Sequence, residues 1–284
     1  MRWVAPALVL FAIAIHGCSL VSLDGLTGGK ILPVGADSGS MGSDSGQGDE
    51  VGPPQSAYAA AVLADSPIAY WRLDETSGTT ARDSSGHGND GTYIGVVSHG
   101  TAGAIASDPD TATTFDGATG YMDGGNRFAF SGQQALSLEA WVKANSTTSY
   151  LGIASREDTS GGPPSEGYVL FVSPSDGVFG FQRLDGASQT TVTSTSVASA
   201  SAYVHIVATY DGMQMSIYVN GASELTQTAA FPIAGATNDF VVGAEAGGAE
   251  AFFDGAMDEV AVYDHVLTAA QVSTHYMVGT GQGP

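Results

Sequence analysis

From Ala57 onward, short apolar runs alternate with polar positions and are punctuated by Gly, Asp, Asn and Ser. The clearest run is Leu136 to Ala144, LSLEAWVKA. Leu136, Leu138, Ala140 and Val142 share one face, while Ser137, Glu139, Trp141 and Lys143 share the other. That period of two is the mark of a β-strand with one face on a core. Tyr203 to Gly212 (YVHIVATYDG) and Met213 to Gly221 (MQMSIYVNG) read as a hairpin turning at Asp211-Gly212, with Asn220-Gly221 at the next turn. Asp-Gly and Asn-Gly suit tight connections that need positive φ. Gly167 to Arg183 is a further strand-turn-strand unit about Ser175-Asp176-Gly177. No long helical period separates these runs, which predicts an all-β, two-sheet antiparallel sandwich. The exception is Thr268 to Tyr276, where Thr268 and Gln271 have the spacing of a capping box and predict one short C-terminal helix.

The N-terminus follows a different pattern. Arg2 precedes an apolar stretch of 13 residues, Trp3 to Ile15. A spanning helix needs about 20 residues, so this stretch fits the core of a signal peptide covering 1–17. Cys18 is the only cysteine. Ile15-His16-Gly17-Cys18 resembles a bacterial lipobox, which implies cleavage before Cys18 and acylation of its sulfur. Ordinary secretion, or a free thiol with no role, is the alternative. An acylated Cys18 would anchor the protein in the lipid bilayer of the cell envelope, and Ser19 is compatible with the outer membrane. Residues 18–56 then form a Gly/Ser/Asp-rich linker. Its stretch DSGSMGSDSGQGDE, Asp37 to Glu50, has too little apolar surface to fold. A flexible tether of this length reaches roughly 30–37 Å. The folded domain is expected over 57–279, with a short tail at 280–284.

Charge narrows the choice of partner. Lys and Arg total 8 against 29 Asp and Glu, a net charge of −21. Such a chain repels phosphate backbones, so nucleic acid is a poor partner. It favours cations, Ca²⁺ above all.

Seven pieces occur in a familiar order: YWRLDE, DSSGHGNDG, FDGATGYMDGG, LSLEAWVK, HIVATYDG, SIYVNG, and MDEVAVYD followed by LTAAQV. Together they resemble the laminin-G-like jelly roll of the concanavalin A-like lectin/glucanase superfamily, over most of Tyr58 to Val278. The resemblance implies two antiparallel sheets with the first and last strands adjacent. Its implied function is non-catalytic recognition of carbohydrate, or of a protein ligand.

Three constellations could carry chemistry. The loop DSSGHGNDG offers Asp83, Asn89 and Asp90, an oxygen inventory suited to Ca²⁺. Asp258, in phase with Val260 and Val262, is the second supplier. The resemblance implies the same pairing, since related domains often hold a structural Ca²⁺ near the junction of first and last strands. The alternative is that Asp83 and Asn89 close an Asx-type turn while Asp258 caps a backbone amide. Next, Trp141, Tyr218, Glu259 and Tyr263 fall out of phase with the aliphatic face. They form either a sugar-stacking surface or a second small core under long loops. Finally, catalysis finds little support. Glucanases of the superfamily carry E-x-D-x-x-E on one strand, and the chain has no such triplet. The six histidines are scattered, and His87 in the loop is a poor ligand for a hard cation. The competing classes are a divergent glycan hydrolase and an adhesion protein without a small ligand.

Overall fold

The computed structural model describes residues 56–159, 165–174 and 176–283. The signal peptide, Cys18, the linker up to residue 55 and turn residue Ser175 lie outside the described residues.

Strands are numbered in chain order. One sheet runs β14 (Ala222–Thr228), β13 (Gln214–Val219), β12 (Val204–Tyr210), β7 (Leu136–Ala144), β16 (Asp254–Tyr263), β5 (Thr111–Asp116), β4 (Val97–Ala102). The short β1 (Ala69–Trp71) joins it beside β16. The second sheet runs β11 (Gln189–Val197), β10 (Val178–Asp185), β9 (Glu166–Val172), β8 (Leu151–Asp158), β15 (Phe240–Val242), β6 (Tyr121–Gly125), β3 (Gly91–Ile94), β2 (Thr80–Ala81). The strand pairs are antiparallel throughout, so the molecule is the expected jelly-roll sandwich.

The alternation in LSLEAWVKA does what its period dictates. Leu136, Leu138, Ala140 and Val142 enter the core between the sheets, together with Ile206, Ala208, Met215 and Ile217 from the predicted hairpin. Trp71 stacks on Phe240 across that core, ring centroids 5.9 Å apart. Both hairpin turns form as read: Gly212 has φ +100, and Asn220 and Gly221 both lie at positive φ. Asp211 tightens its turn by accepting from the amides of Met213 and Gln214.

The first and last strands are neighbours. Ala69, Tyr70 and Trp71 pair with Val262, Ala261 and Val260. On that edge of β16, β5 pairs with residues 254–257 and β1 continues from 260 to 262. Between them lies a bulge, where the pairing of β16 with β7 slips between Asp258 and Ala261 and Glu259 takes φ 54. A bulge adds one residue and resets the two-residue phase. Asp258 is therefore out of phase with Val260 and Val262, contrary to the sequence expectation. Met257, Val260 and Val262 face the inter-sheet core, and Asp258 faces the other side of the sheet.

Two helices cover that other side. α1 (Ala57–Ala64) is capped by Ser56, whose hydroxyl accepts from the Ala59 amide at 3.1 Å. α2 (Ala269–Gly279) carries the predicted capping box between Thr268 and Gln271. The pattern predicted α2 alone. α1 escaped it because AYAAAVLA is apolar on nearly every side and has no stripe of period 3.6. The helices close a second core of Tyr58, Val62, Tyr70, Trp141, Tyr263 and Val272.

Candidate functional site

Three groups of polar side chains stand out: one under the helices, one beside it around Arg72, and one in an open cleft at the loop end of the sandwich.

Under the helices, Glu139 of β7 is fully enclosed and accepts four hydrogen-bonding partners. Tyr58 donates from α1 at 2.9 Å and Tyr263 from β16 at 2.8 Å. His205 Nε2 of β12 lies at 2.8 Å and His275 Nδ1 of α2 at 3.0 Å. The other side of the His275 ring meets Asp65 at 3.1 Å as an ion pair. Burial alone would raise the Glu139 pKa. The charge of His275 and the hydrogen bonds from His205 and His275 outweigh it, and hold the carboxylate well below its usual range. Burial would lower His275, but the adjoining Glu139 raises it to about 9. Sealed in this way, the group acts as a fastening between sheet and helices.

Beside it, Arg72 bridges the carboxylates of Asp108, Asp110 and Glu259. Ligand oxygens of these three acids lie within 4.8 Å of one another, and the guanidinium occupies the place a cation would take. Tyr70 also donates to Glu259. Desolvation raises both Asp258 and Glu259 well above the ordinary carboxyl range, reinforced at Glu259 by the neighbouring Asp258. A cavity of about 510 Å³ opens here, lined by Tyr58, Arg72, Ile105, Asp108, Pro109 and Val278. Its cation is already paired and its remaining walls are largely apolar.

The structure gives the expected calcium donors separate tasks. Asp83 Oδ1 accepts from the amides of Tyr70 and Ser85, and Oδ2 from that of Asn89. These bonds outweigh partial burial and lower its pKa. The Asn89 side chain donates to the Ile68 carbonyl at 2.7 Å. Asp258 spends Oδ2 on the Ala104 amide at 2.6 Å. Ca²⁺ would need several of these oxygens turned toward one point; among the described residues Asp258 Oδ1 is the oxygen of this set that is buried without a partner. The bonds of Asp83 close a turn, and that of Asp258 caps a backbone amide.

The expected sugar-stacking surface is also altered. Trp141, Glu259 and Tyr263 are buried beneath α1 and α2, and Tyr218 is half-buried against the same core. Trp141 stacks on Tyr276 of α2 at 5.9 Å. Trp141, Glu259 and Tyr263 therefore present no open face, because strand alternation does not reveal whether a face meets water or a helix.

The open cleft was missed from sequence. It lies where the β5–β6, β7–β8 and β15–β16 connections meet. Its volume is about 460 Å³, with Ser149, Tyr150, Glu245, Glu250 and Phe252 on its walls. A smaller extension of about 90 Å³ runs past Ser146 and Thr148 to Asp254. Tyr150 is anchored by stacking on Phe171 at 4.4 Å. Asp116 fixes the β5–β6 turn by accepting from the amides of Ala118, Thr119 and Gly120. Glu245 is held by backbone bonds between residues 245 and 250, in a loop where Ala246 and Ala251 both take positive φ. Burial, then the charges of Glu157 and Glu250, raise Glu245 to about 9, so it keeps its proton at neutral pH. The one sequence signal was that loop's run of Gly, Ala and Glu between two strands.

A sequence model described as the concanavalin A-like lectin/glucanases superfamily, Laminin_G_3, matches residues 116–273. That is more than half of the chain, and the protein belongs to this family. No curated protein matches the sequence significantly. Among solved structures, domain 4 of AbnA, an extracellular arabinanase from Geobacillus stearothermophilus in complex with arabinotriose, is similar. It shares 21% identity with a TM-score of 0.53, over 74% of this chain and 98% of that domain. The botulinum neurotoxin serotype G binding domain is similar at 12% identity and TM-score 0.54, over 75% of this chain. The binding domain of botulinum neurotoxin DC in complex with SialylT gives 12% and 0.55. The protein spans about half the length of these neurotoxin domains. These likenesses establish the shared fold.

Proposed function

We propose that the protein is a non-catalytic recognition module carried on the cell envelope by an acylated Cys18, and that its ligand is carbohydrate held in the loop-end cleft. The observation that carries this reading is the cleft itself. Its volume, about 460 Å³, falls within the usual range for small-ligand sites. Its two aromatic rings, Tyr150 and Phe252, stand beside the hydroxyls of Ser149 and Thr148 and the carboxylates of Glu250 and Asp254. Flat rings take the apolar face of a sugar, and the polar groups take its hydroxyls. The arabinotriose and SialylT complexes of similar folds support a sugar as first choice. The apolar N-terminal stretch and the linker before residue 56 support display at a distance from a membrane.

A glycan array tests this directly, run with the folded protein and with Tyr150→Ala and Phe252→Ala variants. The expected result is binding that both variants weaken while each still unfolds cooperatively above the assay temperature, with no reducing sugar released. Chelation by EGTA should leave binding unchanged, since Asp83, Asn89 and Asp258 do not line the cleft. Binding that survives both substitutions places the ligand elsewhere, and sugar release moves the protein to the hydrolase class.

A further inference from the structure

The loop-end cleft is lined at one end by Glu245 and Glu250 and at the other by Asp254. Among the described residues its lining includes no Lys, Arg or His. Glu157 of β8 stands close enough to Glu245 for its charge to be felt there. Within this wall Glu245 is 8% exposed, and its Oε1 has no hydrogen-bonding partner among the described residues. A buried carboxyl oxygen without a donor is costly to leave unmet. The loop that presents it holds two alanines at positive φ, a strain that structures keep where geometry matters. A ligand that brings hydrogen-bond donors and a positive charge relieves this site and matches its acidic wall.

We propose that the cleft selects glycans bearing a protonated amine over neutral ones, and excludes glycans bearing carboxylate or sulfate. An ammonium brings three donors and a positive charge. It can meet Glu245 and Glu250 while the rings of Tyr150 and Phe252 attract the same charge through their faces. The groups facing Glu245 are Glu157, Glu250 and Tyr150, and no cation among them competes. On meeting the ammonium, Glu245 gives its proton to solvent and becomes the partner ion. The inference rests on the carbohydrate reading of this cleft.

The test is calorimetric titration, under mildly acidic conditions, of three probes: a glucosamine trimer, its N-acetylated counterpart and a galacturonate trimer. The amine probe is expected to bind about tenfold more tightly than the acetylated one, a difference of roughly 1.4 kcal/mol. The galacturonate probe should not bind. Repeating the amine titration in buffers of different ionisation heat should show proton release. Glu245→Gln replaces a neutral acid with a neutral amide of the same shape, so it should fold and lose both the preference and the proton release. Glu250→Gln, at an exposed position, provides a second variant whose folding is secure and should weaken the preference. Equal binding of the amine and acetylated probes overturns this inference and leaves the carbohydrate reading standing. Tight binding of galacturonate overturns it as well. No binding of any sugar overturns both.

Discussion

Glu139 shows how one side chain can hold two layers together. Its polar partners come from α1, β12, β16 and α2, and the group is sealed from water. Four donors meet a carboxylate that would otherwise be expensive to bury. Removing the charge while keeping the shape is the informative change. Glu139→Gln leaves His275 charged and enclosed, and turns one acceptor oxygen into a donor facing donors. The expected cost is about 3–5 kcal/mol, the usual effect of breaking a buried pair from one side. Urea unfolding measures it. A loss below about 1 kcal/mol, the range of exposed pairs, would show that the network does not bear on the packing of the helices. Asp83 works on a smaller scale: its carboxylate closes a loop by taking three amides, which a carboxylate does without a metal.

At the scale of elements, the loop after β15 is positioned by the absence of a side chain on β8. A methyl group added at Gly152 would lie 2.6 Å from the backbone of Ala244 and 2.9 Å from Glu245 Cγ. Backbone cannot swing aside as the end of a flexible side chain can. Gly152→Ala is therefore expected to push the loop outward, costing about 1–3 kcal/mol and weakening glycan binding with it. A crystal structure of the variant with residues 243–251 unmoved would refute this. The elements differ in how plainly the sequence announces them. Strands such as β7 and β12, and both Gly-containing turns, follow from period and turn chemistry. The cap of α2 is equally legible. The bulge in β16 is not, because Asp258 and Glu259 look like ordinary alternating positions until Glu259 takes positive φ. The expected core-facing carboxylate failed for that reason. The expected ligand face failed because a pattern of period two names two faces and does not say that helices cover one of them. The cleft was hidden more deeply, since its walls come from three connections distant in sequence and joined only by the fold.

For the whole molecule, the buried ionisable groups set a direction for stability against pH. His275 has its folded pKa raised from 6.5 to about 9. Its contribution is complete below 6.5 and is lost as pH rises through 9. The shift of about two and a half units corresponds to roughly 3 kcal/mol. Glu245 acts in the same direction by a different route. Its folded pKa is raised from 4.5 to about 9, so the unfolded chain gives up that proton earlier. Stability then falls across this window as pH rises. Asp258 and Glu259, also raised, add to the slope. Glu139 opposes it only in acid: its pKa is lowered from 4.5, and its contribution disappears as pH falls through the folded value. The net charge of −21 adds self-repulsion on the alkaline side, which salt screens. The melting temperature is therefore expected to peak on the acid side of neutrality and to descend between about pH 6.5 and 9, even at high ionic strength. Glu245→Gln should flatten part of that descent by melting higher than the parent at alkaline pH. The part due to His275 should remain, because the Glu139 network is untouched by that change. A melting temperature that stays level or rises across this window at high salt would mean that neither His275 nor Glu245 is held as their surroundings require.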